Sequence, residues 1–166
     1  MNINILTIFP EIFNVLESGV VSKPIKNKLL SIQALDIRMN SVNKHNHVDS
    51  KPYGGGEGMV MMAEPIVKTL KEIDKKKRGR VIFMSPQGKR LNQQKIISLS
   101  KLKNITLICG RYEGIDQRII DKYVDEEISI GDFILSGGEY AAICLVDAIS
   151  RYLPGTLGNK DSYLKD

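Results

Sequence analysis

A small set of charged residues stands inside stretches otherwise made of glycine, serine and small polar residues: Arg111, Glu113, Asp116, Asp132, Glu139, Arg151 and Asp161. A positioned carboxylate can take a proton from a reacting group, and a positioned arginine can stabilise negative charge as it builds on an oxygen. The same residues can also serve as helix caps and surface ion pairs. That plainer reading suits Asp116 and Glu139, each near the start of a helix-like stretch. For Glu113, Arg151 and Asp161, composition alone decides nothing.

Three loops follow apolar runs. SPQGK comes after residues 80–85, GRYEGID after 105–109, and SIGDFILSGGE begins at 129. In an open α/β sheet, ligands bind beyond the carboxyl ends of the strands, so these loops are expected to converge at one edge. Their exposed backbone N–H and C=O groups can grip a nucleoside. The common nucleotide fingerprints are absent from the sequence: no G-x-G-x-x-G opens a helix after a strand, and there is no G-x-x-x-x-G-K-[ST]. Gly54, Gly55, Gly56 and Gly58 follow a polar loop rather than a strand, which weakens a phosphate-cradle reading. No G-x-S-x-G points to a serine hydrolase. His45 and His47 have no partner ligands at zinc spacing and read as part of a solvated loop, so no metal ligand is assigned.

The elements that must position these loops alternate. Residues 3–9 (INILTIF) form a short apolar strand that Pro10 ends, with a brief helix expected over 11–18. A second strand is expected within 32–42, on LDIRMNSV. Residues 43–58 break every periodic pattern. A helix is expected from about Glu64 to Asp74, with Pro65 in its first turn. KKKRGR (75–80) reads as a solvated connector. Strands are expected at 80–85, stopping at Pro86, and at 105–109. Helices are expected over 92–101, capped by Asn92, and around 115–122. An acidic extended piece then reaches Ile130. The last long helix, about 138–152, carries Ala141, Ala142, Leu145, Val146 and Ile149 at helical spacing. Strands alternating with helices specify an α/β fold with a mostly parallel sheet flanked by helices.

With 166 residues the chain fits one domain better than two. Lys plus Arg exceed Asp plus Glu by 24 to 19, a net charge of +5. Basic surface attracts phosphate backbones, so this excess is compatible with a nucleic-acid partner without requiring one. Cys109 and Cys144 lie in apolar runs and are both expected to be buried, reduced thiols. No apolar run approaches the ~20 residues of a membrane span, and the N-terminus lacks the features of a signal peptide. A soluble, cytoplasmic protein with no membrane partner is expected.

PYGGGEGMVMM (52–62), MSPQGK (84–89), CGRYEGIDQR (109–118), SIGDFILSGGE (129–139) and SRYLPGTLG (150–158), in this order and spacing, resemble the bacterial tRNA (guanine-N1)-methyltransferase family. The opening ILTIFPEIF is also similar to that family's first strand and turn. The resemblance implies a SPOUT-type fold with a deep trefoil knot, S-adenosyl-L-methionine as cofactor, tRNA as partner and a homodimer with shared active sites. It implies methylation of N1 of the guanine immediately 3′ of the anticodon, which helps keep the reading frame. Cofactor contacts are expected from Met84, Ser85, Pro86, Gly110, Tyr112, Gly114, Ser129, Ile130, Gly131, Asp132, Phe133, Ile134, Leu135, Gly137 and Gly138.

For the chemistry, the resemblance makes Asp161 in KDSY the base that removes the N1 proton. Arg151 stabilises O6, and Glu113 orients the guanine. Magnesium (Mg2+) is implicated by the same resemblance, although nothing in the sequence forms a metal cage. The expected catalytic domain spans 1–159, with 160–166 beginning a linker towards the family's small helical C-terminal domain, which helps grip tRNA. The chain departs from the family at Glu57 and Ala141, where proline is usual, and between Gly158 and Asp161, which is shorter. A second reading keeps cofactor binding and dimerisation but makes the chain a noncatalytic binding domain, because RNA capture is incomplete. Ribosomal RNA as substrate and a nicotinamide oxidoreductase rank lower, the latter for want of its fingerprint.

Overall fold

Near-continuous apolar runs such as ITLIC are what a strand buried on both faces requires, and such strands belong in a parallel sheet covered by helices on each side. The computed structural model, which describes residues 1–41, 47–52 and 54–157, has this arrangement. In chain order it contains β1 (Asn2–Thr7), a 3-10 helix (Pro10–Glu17), α1 (Ser22–Lys26), β2 (Ser31–Asp36) and a second 3-10 turn (Ile37–Asn40). Next come β3 (Asp49–Ser50), β4 (Val60–Met61), α2 (Ala63–Glu72), α3 (Lys75–Arg78), β5 (Arg80–Arg90) and α4 (Gln93–Ser100). β6 (Asn104–Cys109), α5 (Gln117–Tyr123), β7 (Glu126–Ser129) and α6 (Glu139–Ser150) complete the described fold.

The main sheet has five parallel strands in the order β2-β1-β6-β5-β7. One face carries Ile3, Ile5, Ile82, Ile105 and Leu107 against Phe13 and Leu16, α4 and α6. The other carries Leu6, Val81, Phe83 and Ile108 against α2 and α5. Ala141, Ala142, Leu145, Val146 and Ile149 of α6 are all buried, as their spacing requires. Asn92 caps α4 by accepting from the Lys95 backbone N–H at 2.9 Å.

Several local expectations are corrected. The second strand is Ser31–Asp36 rather than 35–42, because the Asp36 side chain accepts from the Arg38 backbone N–H at 2.9 Å and starts a 3-10 turn instead. KKKR is a helical turn, capped by Asp74, which accepts from the Lys76 backbone N–H at 2.8 Å. β5 does not stop at Pro86. It pairs with β7 through Met84, bulges over the next residues, and pairs again at Lys89 and Arg90. Proline is tolerated there because a bulge leaves its position unpaired. Cys109 is buried, but Cys144 is exposed, since it shares the outward stripe of α6 with Tyr140 and Asp147. Among the described residues, no helix is long and apolar enough to cross a membrane.

Candidate active site

Neighbouring strands β5, β6 and β7 release three loops at their carboxyl ends, and these surround a cleft of about 350 Å3. Pockets for small ligands begin at about 300 Å3, so the space suits a nucleoside-sized molecule. In the first loop the Ser85 hydroxyl accepts from the Gln87 backbone N–H at 3.2 Å and tightens the bulge. Gly88 then passes against β7: a Cβ there would lie 2.5 Å from the Glu127 carbonyl carbon and the Ile128 nitrogen. Only glycine allows that approach.

The second loop turns sharply, with the Gly114 N–H donating to the Arg111 carbonyl at 3.1 Å. Tyr112 takes φ +58°, a left-handed conformation uncommon for a residue with a side chain. Burial, then the charge of Asp49, raises the Tyr112 phenol above its ordinary pKa, with Arg111 and Arg38 opposing. The glycine-rich segment after Pro52 packs against this loop. Glu113 N–H donates to Met59 O at 2.9 Å, Met61 N–H to Gly114 O at 3.0 Å, and Asp116 N–H to Met61 O at 3.1 Å. The Glu113 side chain lies over Gly58, where an added Cβ would come within 2.6 Å of its Cγ.

In the third loop the Ser129 hydroxyl donates to Gly131 O at 2.8 Å and accepts from Gly131 N–H at 3.2 Å. Phe133, Ile134 and Leu135 follow as exposed apolar side chains, with Ile134 at 80 %. The loop closes where Gly138 N–H donates to Gly110 O at 2.9 Å. Beneath the junction, Glu139 is fully buried and accepts from Arg111 Nε and from the Thr7 hydroxyl, each at 2.9 Å. Its expected role as a surface ion pair is therefore corrected: it begins a helix, but in the interior. Asp116 does behave as a cap, accepting from the Arg118 backbone N–H at 2.9 Å. Hydrogen bonding from Arg118 holds its carboxyl below the usual aspartate range. Burial, reinforced by Glu139, pushes the Cys109 thiol well above its ordinary pKa, so it stays neutral.

Met84, Ser85, Pro86, Gly110, Tyr112 and Gly114 all line the cleft. So do Ser129, Ile130, Gly131, Phe133, Ile134, Leu135, Gly137, Gly138 and the proposed guanine-orienting Glu113. Asp132 is exposed and lies outside the wall. Arg151 is not brought to the cleft. It is the C-cap of α6, whose opposite end borders the cleft, and a 12-residue helix is about 18 Å long. Asp161 and His45 lie outside the described residues. The cleft also recruits Phe83, Gln87, Arg111, Gln117 and Glu127, which the sequence reading did not single out as binding residues. Phe83 lies inside β5 and carries no local mark, whereas Arg111 lies within the GRYEG motif itself. Gln87 and Gln117 lie within MSPQGK and CGRYEGIDQR, but nothing local marks Glu127. Among the described residues no three His, Cys, Asp or Glu side chains gather into a metal site.

The family described as tRNA (Guanine-1)-methyltransferase TrmD matches residues 1–166. A tRNA (guanine-N(1)-)-methyltransferase of Finegoldia magna is 51% identical over 167 residues, covering 100% of this chain and 71% of the relative. One from Clostridium botulinum (strain Alaska E43 / Type E3) is 46% identical over 166 residues, covering 100% of this chain and 69% of its own length. The crystal structure of the tRNA (m1G37) methyltransferase from Aquifex aeolicus is similar with a TM-score of 0.88 and 42% identity, over 96% of this chain and 72% of that one.

Proposed function

The chain belongs to the tRNA (guanine-1)-methyltransferase family, and from that membership we infer that it methylates N1 of the guanine immediately 3′ of the anticodon in tRNA, a modification that supports reading-frame maintenance. The observation that carries the site assignment is the convergence of the family's loops on one cleft, with glycines where backbones touch. Its walls suit S-adenosyl-L-methionine: backbone amides and carbonyls for the polar edges of a nucleoside, and Ile128, Ile130 and Leu135 for its apolar faces. When bound, that cofactor supplies an electrophilic methyl group. The contact set is Met84 to Pro86, Gly110, Tyr112, Gly114, Ser129 to Gly131, Phe133 to Leu135, Gly137 and Gly138. Asp132 is left out because it stands outside the wall.

Guanine N1 carries a proton, which must leave as the methyl arrives. Asp161 is the proposed acceptor, Arg151 the cation that offsets charge developing on O6, and Glu113 the group that orients the base. Glu113 lines the cleft while Arg151 caps the distant end of α6, so one chain does not bring these two together. A homodimer resolves the separation: Arg151 and Asp161 of one copy complete the cleft of the other. The described residues offer no carboxylate cage for Mg2+, and proton transfer here is assigned to the chain's own groups. The trefoil knot belongs to this reading through the family resemblance, and residues 1–159 act as the catalytic domain in it.

The test is methyl transfer from labelled S-adenosylmethionine to a tRNA transcript with guanine 3′ of its anticodon, with product nucleosides identified by mass spectrometry. 1-Methylguanosine at that position is expected. Methylation confined to ribosomal RNA fragments, or to another atom of guanine, would overturn the assignment.

A further inference from the structure

A carboxylate that is 0% exposed at the edge of a ligand cleft calls for a reason. Burying an ion pair is weak support for stability, since apolar side chains of similar volume commonly do as well or better. Glu139 instead joins three parts of the site. Its Oε1 accepts from the Thr7 hydroxyl at the end of β1, and its Oε2 accepts from Arg111 Nε in the loop after β6. Glu139 itself opens α6. The Thr7 hydroxyl also accepts from the Phe9 backbone N–H at 3.0 Å, and the Arg111 guanidinium lies 4.7 Å from the centroid of the Phe9 ring. Arg111 is thus held by charge on one side and by an aromatic face on the other. Its backbone pairs with Gly137, where a Cβ would lie 2.2 Å from Arg111 Nε, so glycine leaves the path to Glu139 open.

We propose that Glu139 is a positioning residue for methyl transfer, which fixes Arg111 and through it the 110–114 loop that sets Tyr112 and Glu113 against the cleft. The role rests on the reading of that cleft as the cofactor site. Glu139 touches neither cofactor nor guanine. Its charge matters because Arg111 has no other ion-pair partner among the described residues.

Glu139→Gln keeps the size and an oxygen for Thr7 but removes the charge. Amide hydrogen exchange in the variant should accelerate by about tenfold or more at Arg111 to Gly114 and at Gly138, with β1 and β2 unchanged. Titration with S-adenosylmethionine should show affinity falling by about tenfold to a hundredfold, the scale of a misplaced loop. Glu139→Asp, which retains the charge, should recover part of both effects. Unchanged loop exchange, or uniform acceleration across the sheet, would overturn the proposal. Should the glutamine variant not fold, Arg111→Lys approaches the same contact from the other side, and the same loop-selective exchange is expected. Exchange is read without ligand, so a wild-type protein that does not bind S-adenosylmethionine would defeat the cofactor assignment while the exchange pattern still decides the role of Glu139.

Discussion

Two arginine–carboxylate pairs stand at the entrances of two helices beside the cleft, and in chemical formula they barely differ. At α5, Asp116 pairs with Arg118 two residues ahead at 2.5 Å, with side chains 23% and 79% exposed. At α6, Glu139 pairs with Arg111 at 2.9 Å, with side chains 0% and 17% exposed. The first pair is local, solvated and assembled by one turn of chain. The second crosses 28 residues and exists only once the sheet, loop and helix have come together. Water competes for one and is largely excluded from the other, so the same two functional groups act as a trim in one place and a fastener in the other.

Replacing one arginine of each pair breaks the comparison most directly. Arg111→Ala leaves a carboxylate buried without its partner and should cost about 3–5 kcal/mol in urea-induced unfolding. Arg118→Ala should leave the unfolding midpoint essentially where it was. Equal losses would mean that burial does not separate the pairs.

A smaller effect is expected at Asp116, whose carboxylate also caps α5. Asp116→Ala should lose about 1 kcal/mol at neutral pH, as removal of a cap usually does. Arg118 depresses the Asp116 pKa in the folded state, so the stabilisation is full above the ordinary aspartate value of about 3.9 and disappears as pH falls through the lower folded value. The gap between wild type and variant, followed by denaturation from pH 7 downward, should close only at that acid end. A gap that widened on acidification would reverse the sign of the linkage.

The least change is expected at Tyr112, in the loop that the buried pair fastens. Glycine accepts its φ of +58° without strain, although it adds freedom to the unfolded chain. Tyr112→Gly should therefore raise stability by no more than about 1 kcal/mol, measured by thermal unfolding. A clear loss would show that the ring, not the backbone, holds the loop.

The sheet and the flanking helices were legible from periodicity because apolar spacing is a local property: ITLIC and the Ala141 to Ile149 stripe could be assigned from neighbours alone. The loops were legible as candidate binding segments because each begins where an apolar run stops. Glu139 was misplaced because no local pattern distinguishes a surface carboxylate from one whose arginine lies 28 residues back. Cys144 was misplaced because its apolar neighbours hid a one-residue step around the helix. The β2 boundary shifted because a side-chain hydrogen bond from a single residue, Asp36, overrode strand propensity. Arg151 caps the end of α6 away from the cleft, a separation that no local pattern in SRYLPGTLG could reveal.

The strand order has a consequence for how the protein is made. β1 leaves the ribosome before either of its partners, and its place is inside the sheet, with β2 on one side and β6 on the other. β6 pairs residue for residue with β1 but begins at Asn104, 102 positions after Asn2. At typical synthesis rates of about 5–20 residues per second, β1 waits roughly 5–20 s with one edge unsatisfied. During that interval a newly made chain presents Ile3, Ile5 and Leu6 beside an open row of backbone donors and acceptors, the condition in which nascent strands depend on chaperones or on dilution to avoid one another.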